Sequence, residues 1–156
     1  PQPGGVTYTP KVTSLINPGA GITEGVRGVK FYPVAPNDGS GSSNDFPIYR
    51  YADVLLMIAE CHVRLGNAAS AKPFIDQVRI RAGVGALAAN PSLENIYDER
   101  GFELNWEGHR RQDMIRFGTF TLGHGLVPAV DAHWQLFPIP TAAMNANPNL
   151  KQNPGY

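Results

Sequence analysis

Apolar residues recur at helical spacing through YRYADVLLMIAECHVRLG (49–66). Leu55, Ile58, Ala59 and His62 fall three or four apart on one side, and Val54, Met57 and Cys61 widen that apolar surface. This predicts a helix, ended by Gly66-Asn67. A second helix is predicted within residues 68–82, with Ala71, Phe74, Ile75, Val78 and Ala82 as its stripe. Pro73 is harmless only in a first turn, where its missing N–H has no partner, so the regular helix is expected to start near Ser70. Asn90-Pro91 reads as the N-cap and first residue of a third helix running to about Gly108. Leu93, Tyr97 and Leu104 share one of its faces, and Phe102 and Trp106 nearly the opposite one. A helix apolar on both sides packs between neighbours, which places Trp106 in the core. A fourth helix, roughly 109–117, carries Met114, Ile115 and Phe117.

Period-two signals are weaker. VTSLI (12–16), VKFYPV (29–34) and VDAHWQLFPIP (130–140) read as short extended segments, the last stopped by two prolines. Residues 33–47 are dense in turn formers and predict an exposed loop. A helical turn is expected at Thr141–Asn145, with Thr141 as its cap. In the tail, Pro148 and Pro154 impose extension, while Leu150 and Tyr156 are positioned to anchor it on the helices. The predicted fold is mostly α: a helical hairpin, further helices, long ordered loops and short extended segments. Residues 1–49 form a loop-rich, extended segment of the same domain as the helical region 50–156.

Composition narrows the function. A chain of 156 residues suffices for one sizeable core. Thirteen basic and thirteen acidic residues leave no net charge, which argues against a nucleic-acid partner or broad binding to an anionic bilayer. Seventeen glycines and fourteen prolines fit long loops better than a tight bundle. The single cysteine, Cys61, excludes an internal disulfide and reads as a small buried hydrophobe. The opening PQPGGVTYTP has no charged region followed by an apolar one, so a mature or internal piece of a longer protein is expected.

Glu99, Glu103 and Glu107 recur every four residues and form a stripe that repels itself unless neutralised. Arg79, Arg81, Arg100, Arg110, Arg111 and Arg116 are its available partners. A structural charge network is therefore expected, comprising Glu99, Arg100, Glu103, Glu107, Arg110, Asp113 and Arg116. The rival reading is a carboxylate metal site completed by His109 and Asp113, as in a metal-dependent hydrolase. Facing Glu-x-x-His motifs are missing for that, and the arginines outnumber any histidine ligands. General acid–base work needs an unpaired, partly desolvated carboxylate. No nucleophile or phosphate-binding motif occurs. No catalytic residue, metal or cofactor is expected. His62 is expected at the helix–helix seam, and His124, between two glycines, in solvent. Trp134 lies in the extended segment before FPIP, either packed on the helices or exposed, and the amide- and carboxylate-rich loop carries Asn37, Asp38, Asn44 and Asp45, a composition shared by any solvated loop.

The hairpin over 52–83 resembles one tetratricopeptide repeat, a signal shared by many helical hairpins. A protein-interaction scaffold of that type is the alternative reading. A more specific resemblance is carried by motifs in series. RYADVLLMIAE (50–60), VRIRAG (78–83), ERGFELNWEGHRRQDMIRFG (99–118), FPIP (137–140) and NPNLKQNPGY (147–156) resemble, in order, successive phrases of the SusD/RagB family. The third follows that family's ER-x-x-EL-x-x-EG-x-R-x-x-D-x-x-R-x-G pattern. Two departures stand out: Gly101 within a helix, at about 1 kcal/mol relative to Ala, and Arg111-Gln112 in place of an aromatic pair. The resemblance implies the C-terminal portion of a non-catalytic, surface-exposed outer-membrane lipoprotein. It would bind oligosaccharides, less often peptides, and act with a SusC-like TonB-dependent transporter; flat rings stack on sugars, so Trp134, with Asn37, Asp38, Asn44 and Asp45 of the polar loop, would then be the candidate glycan contacts. It also implies that the lipid anchor, further repeats and most sugar-contacting aromatics belong to segments preceding this region.

Overall fold

The computed structural model describes residues 7–15, 21–26, 28, 30, 31 and 44–156. Its helices are α1 (Tyr51–Arg64), α2 (Ala68–Arg81), α3 (Leu93–Glu103), α4 (Arg110–Arg116), a short 3-10 helix (Ala132–Gln135) and α5 (Thr141–Ala146). No strand forms among the described residues; Thr9 with Glu24 and His124 with Val127 make isolated bridges. The fold is thus mostly α, as the spacing predicts.

The chain divides into two compact units. One is residues 28–113, in which α1, α2 and α3 pack on one another. Its core is Leu55, Leu56 and Ala59 of α1, Ala71, Ile75 and Val78 of α2, Ile96 of α3, and Leu104. Ala59 and Ala71 are fully buried, as close approach of two helices requires. Leu56, Ile75 and Ile96 are also fully buried, each stabilising by about 1.5–3 kcal/mol. His62 stacks on Phe74, ring centres 5.8 Å apart, at the α1–α2 seam.

Several positions depart from expectation. Cys61 is exposed, because the buried face of α1 runs through Asp53, Leu56 and Glu60 instead. Helix α2 begins at Ala68 and holds Pro73 in its interior. Pro73 and Ala69, whose carbonyl loses its helical partner, are both exposed, so that carbonyl is open to solvent. The α3 N-cap is Ser92 rather than Asn90: its hydroxyl accepts from Asn95 N–H at 3.2 Å, and the Asn95 side chain accepts from Ser92 N–H at 3.0 Å. That reciprocal pair satisfies two orphan groups and moves the start beyond Pro91. Helix α3 stops at Glu103, five residues short of Gly108, and Trp106 is 70% exposed instead of buried.

The other unit comprises residues 1–27 and 114–156. Glu24 organises its first part, accepting hydrogen bonds from Thr13 N–H at 2.7 Å, Thr13 Oγ1 at 2.8 Å and Gly21 N–H at 3.2 Å. The segment expected to be extended at 130–140 contains the 3-10 helix, because Asp131 caps it by accepting from His133 N–H at 2.9 Å. Helix α5 starts after Pro140 with no side-chain cap; Thr141 is its first residue. The tail is fastened to residues 136–139 by side chains. Gln152 accepts from Ile139 N–H at 2.8 Å and donates to Ile139 O at 2.9 Å. Asn153 donates to Phe137 O at 2.7 Å, and Tyr156 Oη to Leu136 O at 2.9 Å. Among the described residues no helix is long and apolar enough to cross a membrane.

Candidate functional site

Charged side chains converge on the C-terminal half of α3. Glu99 meets Arg79 Nη1 at 2.7 Å, which aligns α2 with α3. Glu103 pairs with Arg50 Nη1 at 2.6 Å and with Arg81. Glu107, beyond the helix, takes Arg50 Nε at 2.6 Å on one oxygen and Lys30 Nζ on the other. All three carboxylates are buried. Burial opposes the Glu107 charge, but hydrogen bonds from Arg50 and Lys30 outweigh it and hold its carboxyl below the ordinary carboxylate range. Desolvation likewise opposes the Arg50 charge, and Glu107 and Glu103 more than compensate, raising its pKa.

Arg100 serves a different set. Its Nε faces both Asp113 oxygens at 3.0 and 2.9 Å, and its Nη1 reaches Asp53 at 2.8 Å. All three are buried, so this triad joins α1, α3 and α4 through a desolvated charge group. Arg110 does not reach the glutamates. Its guanidinium lies 3.7 Å over the Tyr97 ring centre and donates to Tyr97 O at 2.8 Å. A Cβ on Gly101 would meet Arg110 Nη1 at 2.8 Å, so the mid-helix glycine makes room for this arginine. Arg116 stands 4.9 Å over Phe117. Asp53, Arg50 and Lys30 were not among the expected participants. Asp53 lies on the side of α1 opposite the predicted apolar stripe, and Arg50 and Lys30 lie outside any helix, so none of the three gave a signal in the sequence.

Lys30 and Arg50 also act on the backbone. Lys30 Nζ donates to Glu103 O at 2.5 Å and Asn105 O at 3.2 Å, and Arg50 Nη2 to Glu103 O at 2.6 Å. Two cations thereby satisfy orphan carbonyls at the negative end of α3. The chain then turns, closed by Glu107 N–H to Leu104 O at 3.1 Å. Trp106, third residue of that turn, takes φ +65°, where glycine is normal. For a bulky residue this conformation costs about 1–3 kcal/mol and needs surroundings that over-determine it.

The candidate sugar contacts divide between the units. Asn37 and Asp38 lie outside the described residues. Asn44 is half-buried and Asp45 exposed, both in the 28–113 unit. Trp134 belongs to the other unit, in the 3-10 helix rather than an extended segment. It is 55% exposed, with its ring centre 5.3 Å from that of His133. Among the described residues no group of three or more His, Cys, Asp or Glu is placed to hold a metal ion.

Helices α1, α2 and α3 pack together and are braced by arginine–carboxylate pairs, which makes this a helical scaffold. Residues 5–125 match the sequence profile of the SusD family, and the chain belongs to that family. The starch-binding protein SusD of Bacteroides thetaiotaomicron is 31% identical over 152 residues, covering 88% of this chain and 27% of that protein. The surface glycan-binding protein A of Bacteroides uniformis superposes with a TM-score of 0.63 at 29% identity, over 72% of this chain and 28% of that one. A SusD superfamily protein from Parabacteroides distasonis gives a TM-score of 0.66 at 30% identity, over 76% of this chain and 29% of that one. The chain therefore spans under a third of the length of these relatives.

Proposed function

We propose that this chain is part of a non-catalytic, cell-surface glycan-binding subunit of the SusD type. In this reading the complete protein is a lipid-anchored outer-membrane lipoprotein that hands oligosaccharides, or peptides, to a SusC-like TonB-dependent transporter. The observation that carries the reading is similarity over 88% of the chain to a protein named for binding starch. The charge geometry supports a binding role over a hydrolytic one. Glu99, Glu103 and Glu107 are each engaged by Arg or Lys, which leaves none of them as a free, desolvated general acid. Residues 1–49 and 50–156 act as one domain in this proposal, supported by Lys30 reaching Glu107. Trp134, Asn37, Asp38, Asn44 and Asp45 remain proposed glycan contacts.

Cells displaying the protein should retain fluorescent polysaccharide that cells lacking it do not retain, and the purified chain should release no reducing ends from any of a panel of polysaccharides. Reproducible turnover, abolished by Glu99→Gln or Glu107→Gln, would replace the binding reading with a hydrolytic one.

A further inference from the structure

The backbone at Trp106 would relax with glycine, yet the chain carries its largest side chain there. Everything around the turn holds it in place. Lys30 and Arg50 bind the carbonyls before it, the same two cations bind the Glu107 carboxylate after it, and Gly28 lies against the indole. A Cβ at Gly28 would stand 2.8 Å from Nε1 and 2.9 Å from Cε2 of the indole. The ring is thus braced at its pyrrole side while 70% exposed. Strain maintained by so many contacts marks a side chain whose position matters.

The ring forms a wall of a cavity of about 430 Å³, with Phe102, itself 75% exposed, Asp98, Asn105 and Arg111 also lining it. Residues 98, 102 and 105–106 recur at helical spacing, so α3 and its turn present them on one side. Among the described residues the side chains of Asp98 and Asn105 have no protein partner. Two aromatic side chains therefore stand beside a carboxylate and an amide that are not engaged. An apolar protein surface docked here would strip water from those two polar groups without repaying it. A pyranose matches both halves, with apolar C–H faces for the rings and hydroxyls for the carboxylate and amide. The volume lies within the usual range for ligand sites.

We infer that Trp106 is the platform of an oligosaccharide subsite, with Phe102 as a second apolar wall and Asp98 and Asn105 as hydroxyl partners. This inference rests on the glycan-binding reading and adds a site to it. The test follows the two indole N–H resonances of the 156-residue chain during titration with maltoheptaose and, separately, cellohexaose. The Trp106 resonance should shift saturably at millimolar sugar. Trp106→Gly, which releases the strained backbone, should melt no lower than the native chain and weaken binding by about tenfold or more. Asp98→Ala, at an exposed position, should weaken it severalfold without altering the melt. Saturable shifts confined to the Trp134 resonance, or binding unchanged by Trp106→Gly, would overturn the subsite and leave the glycan reading standing. Absence of any shift with either sugar would also overturn it, while polysaccharide retention by cells decides the wider reading independently. Self-association abolished by Trp106→Gly, with no sugar response, would show instead that a second copy covers this face.

Discussion

Individual charged residues here differ in what their loss leaves behind. Removing Arg100 takes the counter-charge from Asp53 and one partner from Asp113, both about 2% exposed. Arg100→Met should therefore cost about 3–5 kcal/mol. Glu103→Ala leaves Arg81, 63% exposed in its side chain, and Arg50, about one-quarter exposed, and water can resolvate both. Its cost should be nearer 1–2 kcal/mol. Urea denaturation of the two variants checks the order; equal losses would mean that burial does not govern this network. The Glu99–Glu103–Glu107 stripe was legible from its four-residue repeat, and Arg79 and Arg81 were among the partners expected. The assignment of Arg100 to two aspartates was not legible, since no spacing rule links residues 53, 100 and 113.

Among the elements, helix existence was legible and helix ends were not. Apolar spacing locates α1 and α2, and the core residues Leu55, Ala59, Ala71, Ile75 and Val78 follow from it. Helix α3 was expected to reach Gly108 because a glycine there looks like an ordinary terminator. Its actual end depends on Lys30 and Arg50, far away in sequence, seizing the Glu103 carbonyl. The same miss hid Trp106, since a left-handed tryptophan has no sequence signature. The tail offers a test at this scale. Ile139 lies between Pro138 and Pro140, which have no N–H to offer, and the Gln152 amide satisfies both of its backbone groups. Gln152→Ala should speed exchange of the Ile139 amide by about tenfold, the equivalent of one net hydrogen bond. Unchanged exchange would mean that something other than Gln152 protects that amide.

For the molecule as a whole, acid stability follows from the paired carboxylates. Glu107 is depressed in the folded state relative to its unfolded value, so its contribution is complete above the unfolded pKa, about 4.3, and drains as pH falls through the folded value. Asp76 acts in the same direction: burial opposes its charge, but Lys72 and Leu87 N–H outweigh that. Native chain and Glu107→Gln should differ in melting temperature at pH 7 and converge in strong acid. A difference that persists below about pH 3 would separate Glu107's role from its charge. The cations that cap α3 also carry a kinetic consequence. The α1–α2 hairpin closes through neighbours in sequence, whereas Arg50 and Glu107 are 57 residues apart. Closing that long loop is entropically dear and belongs late on the folding route. Glu107→Gln should then leave the refolding arm of a chevron plot nearly flat against native and lift the unfolding arm, while Leu56→Ala slows refolding. On that view the Lys30–Arg50–Glu107 cluster works as a latch: it governs how long the native state lasts once formed, and has little say in how quickly it is reached.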